Sequence, residues 1–125
     1  MIKTVILVGA GGFIGSVSRY LLSRMMQSNF PHAFPFGTFT VNILGCLLIG
    51  LIYGLSDKSP SFTIGWRLFL AAGFCGGFTT FSTFANENLA LLRDGEFFYF
   101  FIYTGLSVFL GITATFFGVT ITKIF

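Results

Sequence analysis

Charge is what this sequence has least of. Its 125 residues carry seven Lys or Arg and four Asp or Glu, 9% in all, where a soluble domain carries about a quarter. A shortage of that order excludes an ordinary water-facing surface. The basic residues stand singly along the chain, so the net charge of +3 forms no patch for a nucleic acid. They read as interface anchors whose long stems reach back to water. Cysteine is scarce too: Cys46 and Cys75 both fall in apolar stretches and form no CxxC pair, so they read as small packing residues without a disulfide framework. The single histidine, His32, sits in a loop and is assigned no role. With no pair of carboxylates, no His/Cys cluster and no nucleophile beside a base, nothing points to an enzyme. Lys3 is the only charge leading the apolar opening, and the apolar pattern resumes at Tyr20, so no cleavable signal peptide is expected.

What the chain does have is apolar bulk. Hydrophobic residues make up 54% of it, and nineteen of them are Phe, most of which read as surface for lipid. The length allows one domain, residues 1–125. At about 1.5 Å per residue, roughly 20 residues cross a bilayer core of about 30 Å. Four stretches qualify: 4–26, 36–56, 64–92 and 97–122. Pro31 and Pro35 set the loop before the second, and Asp57, Lys58 and Pro60 close it. Arg93-Asp94-Gly95-Glu96 is a tight turn before the fourth. Three GxxxG pairs, Gly11/Gly15, Gly50/Gly54 and Gly73/Gly77, predict close helix crossings. With the N-terminus cytoplasmic, that side holds Lys3, Lys58, Arg67 and Lys123 and the other holds Arg19, Arg24 and Arg93. Such a small positive-inside bias permits insertion in both orientations, and so an antiparallel homodimer.

A few polar groups at membrane depth need a reason. Asn42 lies midway along the second span, where an unsatisfied amide costs several kcal/mol. It is either a helix–helix hydrogen bond or a pore-facing donor. Thr104, Ser107, Gly111 and Thr115 share one face of the fourth span. Hydroxyls bonding back one turn would account for any one of them; the whole stripe reads better as a polar track, with Gly111 lacking the hydroxyl the track could use. Arg19 either snorkels to the interface or draws anions into a wet mouth, and Glu87 could cap the wet end of the third span.

The most unusual stretch is GFCGGFTTFSTF, 73–84. Gly73, Gly76 and Gly77 permit backbone angles that break a helix. A break at membrane depth is tolerated only inside protein or beside a cavity. It would release backbone carbonyls, which bind dehydrated cations. Thr80, Ser82 and Thr83 offer hydroxyl donors beyond it. Phe78, Phe81 and Phe84 recur every three residues and would lie together on the resumed helix, turning positive ring edges toward an anion.

That stretch resembles the signature of the Fluc (CrcB-like) fluoride channel family. GGFIGSVSRY (11–20) and GTFTVNILG (37–45) are similar to the family's first- and second-span motifs, in the same order, and the likeness covers essentially the whole chain. The resemblance implies an all-α membrane protein with four transmembrane helices, the third broken mid-membrane, in an antiparallel dual-topology homodimer of the cell (inner) membrane. It implies a passive channel that exports cytoplasmic fluoride and confers fluoride resistance. A structural sodium ion at the dimer interface would be held by the carbonyls of Gly76 and Thr79. Phe81 and Phe84 would line the pore, faced by Asn42. Ser82, Thr83, Thr115, Arg19 and Glu87 would line the polar approaches, the last two in the vestibules, with Tyr103 and Ser107 as looser transfers. Phe78 receives no function. The alternative is a small dual-topology, proton-coupled exporter of cationic metabolites or drugs. That chemistry needs a membrane-embedded carboxylate, which the first span lacks. A structural subunit of a larger complex would not need a broken, hydroxyl-lined third span.

Overall fold

The computed structural model describes residues 1–30 and 33–125; the loop positions assigned to Pro31 and His32 lie outside them. The described chain is all helix and turn. Helix α1 is Ile2–Asn29, α2 is Phe36–Lys58 and α6 is Phe97–Ile124. Between α2 and α6 runs a composite third span. It comprises α3 (Ile64–Arg67), a π-helical segment (Leu68–Cys75), α4 (Gly76–Phe78) and α5 (Phe81–Arg93). Among the described residues, four helical stretches, including 64–93 as one, are long and apolar enough to cross a membrane. Each outruns its sequence-based bounds by one to three residues at one end or both, because polar ends such as Asp57-Lys58 continue the helix into the interface.

Local chemistry sets the ends. Pro35 precedes α2, where its missing N–H costs nothing. The Thr63 hydroxyl caps α3 by accepting from the Trp66 N–H. At the end of α5, Glu96 N–H bonds to Leu91 C=O and Gly95 N–H to Leu92 C=O. Gly95 has φ +73°, a conformation open to glycine.

All three GxxxG pairs are crossing points. Gly11 and Gly15 of α1 lie on the backbone of Phe69, Gly73 and Phe74; a side chain at Gly73 would meet Val8 C=O at 2.8 Å, and one at Gly77 would meet Gly12 C=O at 2.6 Å. Gly50 meets the Thr115 backbone and Gly118, and Gly54 meets the Thr122 side chain. Thus α1 packs on the first half of the third span, and α2 packs on α6. The Lys58 ammonium donates to Thr122 C=O at 2.8 Å, and the Arg67 guanidinium lies 4.5 Å above the Tyr53 ring. Both contacts sit at the end that also carries Lys3 and Lys123. At the opposite end, Phe34, Leu91 and Tyr103 form a core with Phe36, Phe39, Phe84, Tyr99 and Phe100 around it. Phe13, Phe98, Phe101, Phe109, Phe116 and Phe117 face outward, as lipid-facing bulk should.

The interruption of the third span differs from the glycine-based expectation. Gly76 is helical, none of the stretch's glycines has positive φ, and the chain leaves the helix at Thr79 (φ −96°, ψ 153°) and Thr80 (φ −151°, ψ 125°). These extended angles are open to any residue. Gly73 and Gly77 serve close packing on α1. The interruption also separates Phe78 from Phe81 and Phe84. Phe78 is buried and stacks on Phe74 (5.4 Å, 16°), so it is core on the near side of the gap.

Candidate functional site

Around the interruption lies an open cavity of about 440 Å³ whose walls include Asn42, Gly45, Cys46, Gly76, Thr79, Thr80, Phe81, Phe84 and Ser107. Its geometry follows from where the backbone polar groups go. In a continuous α-helix each N–H bonds to the carbonyl four residues earlier. Thr79 N–H does so, reaching Cys75 C=O at 3.0 Å, with its own hydroxyl on the same oxygen at 2.8 Å. Thr80 N–H does not: it donates to Asn42 Oδ1 at 3.1 Å, and Asn42 Nδ2 approaches Thr80 C=O at 3.5 Å. Thr83 N–H donates to the Thr80 hydroxyl at 3.4 Å, which caps the N-terminus of α5. Arg19 Nε donates to Gly77 C=O at 3.0 Å.

The aromatic pair stands at the start of α5. Phe81 is 79% exposed and lies 5.8 Å from Phe84 at 43°. Phe84 in turn packs at 4.9 Å on Tyr103, which is wholly buried. Ser82 is exposed beside them, with its hydroxyl 3.1 Å from that of Thr80, and the Thr83 hydroxyl lies 3.5 Å from the same group. Ser107 lines the cavity, while its Oγ is buried without a hydrogen-bond partner among the described residues.

A second cavity of about 310 Å³ opens at the other end of α5, lined by Ser23, Gln27, Thr38, Glu87, Asp94 and Glu96 among others. Here the Tyr103 hydroxyl donates to Glu87 Oε1 at 3.1 Å. Tyr103 therefore joins the two cavities, ring against Phe84 and hydroxyl on Glu87.

The structure brings Asn42, Gly76, Thr79, Phe81, Phe84 and Ser107 to one wall, and Glu87 to the next cavity. Thr115 stands apart: its hydroxyl donates to Cys46 C=O (3.0 Å) and Gly111 C=O (3.1 Å). Thr104 likewise turns away and donates to Asn88 Oδ1 at 3.2 Å. Of the α6 stripe, Ser107 alone reaches the first cavity. Three contacts escaped the sequence reading: the Arg19–Gly77 bond, the amide–peptide pairing of Asn42 with Thr80, and the Thr104–Asn88 pair. The first had a signal, because Gly11, Gly15 and Arg19 follow at four-residue steps on the face that meets Gly73 and Gly77.

A family model described as "CrcB-like protein, Camphor Resistance (CrcB)" matches residues 6–119. The chain belongs to the CrcB-like family. Its full-length relatives agree. It is 45% identical over 121 residues to a Flavobacterium psychrophilum protein, covering 97% of this chain and 98% of that one. It is 46% identical over 123 residues to one from Leptospira interrogans (98% and 97%), and 48% identical over 122 residues to one from Bacteroides fragilis (93% of each). All three are named "Fluoride-specific ion channel FluC". Family membership and four apolar spans make this chain a multi-pass integral membrane protein.

Proposed function

We propose that the chain is a fluoride-selective passive channel that lets cytoplasmic fluoride leave down its gradient. The names of relatives matching along nearly the whole chain support this. The observation that carries it in the molecule is the wall of the first cavity. There, the Phe81–Phe84 pair, Asn42 and Ser107 stand beside an interrupted helix, with no charged side chain among the described lining residues. A small anion can be stabilised by ring edges and neutral donors there without being held as a full cation would hold it. Weak-acid trapping supplies the need. Neutral HF enters from acidic surroundings, dissociates in a near-neutral cytoplasm, and leaves the anion stranded.

The same reading places the interruption at membrane depth and in an antiparallel dual-topology homodimer. Support comes from α5, whose outer face carries Phe81, Ser82, Ala85, Asn86 and Leu89 uncovered in a single chain. Ser82 and Asn86 are poor neighbours for lipid but suit a wet vestibule or a second copy. Two copies related by a two-fold axis through the interruption would turn two such walls toward each other.

A structural sodium ion fits this junction. Gly76 and Thr79 line the cavity, and space is open at Gly76, where a side chain would meet nothing within 4 Å. Their carbonyls lack their helical donors, since Thr80 N–H and Thr83 N–H go elsewhere. Carbonyl oxygens suit a hard monovalent cation. When bound, it would lend positive potential to the neighbouring anion paths. The cation-exporter alternative gains nothing from this arrangement, because none of the described residues lining the first cavity is a carboxylate, and Glu87, part-buried at the second, accepts from Tyr103.

The test is ion efflux from liposomes containing the purified protein, with chloride beside fluoride. Fluoride efflux far above chloride efflux is expected. Equal permeability to both ions, or to neither, would overturn the reading.

A further inference from the structure

We propose that Asn42 is a positioning residue whose amide holds the third span open, so that the Gly76 carbonyl stays free of its helical donor. The role assigned to that carbonyl rests on the sodium reading above; the mechanical role does not. The observation is a substitution of partners. Thr80 N–H would close onto Gly76 C=O if α4 ran on into α5. Instead it donates to Asn42 Oδ1 at 3.1 Å, and the Asn42 Nδ2 group approaches the carbonyl of that same residue, Thr80, at 3.5 Å. An amide side chain presents one acceptor and two donors in a plane, so it can face both polar groups of one backbone residue. Few other side chains of this size can do so.

The energetic logic favours an extended Thr80 while that partner is present, with Arg19 on the next carbonyl, Gly77 C=O, at 3.0 Å. A buried backbone N–H left without an acceptor costs about 1–3 kcal/mol, more in lipid. Nothing else in the local sequence forbids a helix at Thr79 and Thr80. Neither is proline, and the glycines before them are already helical. Asn42 is fixed for the task by its own helix. Three residues on, at Gly45, a side chain would collide with Thr79 Cγ2, so α2 lies directly against the extended residues. The Thr80 hydroxyl acts in parallel one turn on. It takes Thr83 N–H (3.4 Å), the donor that Thr79 C=O would otherwise receive. Two neutral side chains thus divert the helical donors from the carbonyls of two residues that line the cavity.

Asn42→Leu and the smaller Asn42→Ala remove the amide. Asn42→Asp keeps an acceptor oxygen for Thr80 N–H. Two extended residues span about 3.3 Å each, against 1.5 Å in a helix, so closing the gap shortens the third span by about 3–4 Å. Spin labels at Thr63 and Arg93, both exposed, read that length in the intact protein, with labelled chains diluted in unlabelled ones. We expect a shortening of about 3 Å in Asn42→Leu and Asn42→Ala and the wild-type distance in Asn42→Asp. Sodium dependence of thermal unfolding is the second readout. The Leu and Ala variants should need at least about tenfold more sodium for half-maximal stabilisation. A wild-type label distance in whichever of these two variants folds, with only fluoride flux reduced, would overturn the proposal and leave Asn42 as a lining group. Should wild-type protein show no sodium dependence, the cation reading fails, and the label distance still decides the role of Asn42.

Discussion

Adding one methyl group at Gly15 tests the close crossing of α1 and the third span, and with it the anchoring of the interruption. A Cβ there would overlap the Phe74 carbonyl oxygen, with the carbonyl carbon at 3.0 Å and Cα at 3.1 Å. These are backbone atoms, so no side chain can swing aside and the helices must separate. The same substitution at Gly105 of α6 meets nothing within 4 Å. Both glycines are inside helices, so both gain the roughly 1 kcal/mol by which Ala exceeds Gly in helix propensity. Subtracting one variant from the other cancels that gain and leaves the overpacking cost, about 1–3 kcal/mol. Gly105→Ala should therefore be neutral or stabilising, and Gly15→Ala should unfold several degrees lower in detergent. Function should follow the geometry. Arg19 lies one turn beyond Gly15, and a shift of α1 by even half an ångström (roughly) pulls its Nε from Gly77 C=O, now at 3.0 Å, toward the limit of a hydrogen bond. Fluoride efflux should fall in Gly15→Ala and persist in Gly105→Ala. Equal stability changes in the two variants would refute the reasoning, as would a destabilised Gly15→Ala with unaltered efflux for its link to Arg19.

The remaining predictions concern the aromatic pair and the orientation. Phe81→Ile and Phe84→Ile keep apolar bulk but lose the ring quadrupole whose positive edge would face the anion, so each should strongly cut fluoride efflux in a folded protein. Unchanged efflux in both would reduce the rings to packing. A cysteine placed at the exposed Ser61 should be modified by an impermeant reagent in about half the copies of intact cells, as expected of a chain with so little bias in its basic residues. Complete or absent labelling would show one fixed orientation. Adding two Lys to that loop should fix the orientation and depress efflux.

Solvent chemistry made the membrane class and the four spans legible in the amino-acid sequence. A chain with 9% charged residues and 54% hydrophobic ones has few ways to meet water, and uninterrupted apolar runs of bilayer length follow from that scarcity. The GxxxG pairs also announced their crossings, because only glycine lets backbones come this close. The family was readable in the motif around 73–84. Which residues meet was not. Glycine's conformational freedom marks 73–77 as the place for a break, yet these glycines are helical, and the interruption sits at Thr79 and Thr80. The reason is that an interruption belongs wherever its backbone groups find partners, and those partners come from elsewhere in the chain: Asn42 on α2 and Arg19 on α1. The α6 stripe shows the same dependence. Periodicity put Thr104, Ser107 and Thr115 on one face, but the elements opposite that face decided that Thr104 meets Asn88, Thr115 meets the Cys46 carbonyl, and Ser107 meets the cavity. Sequence spacing determines which side chains share a face; only the tertiary structure determines what that face is pressed against.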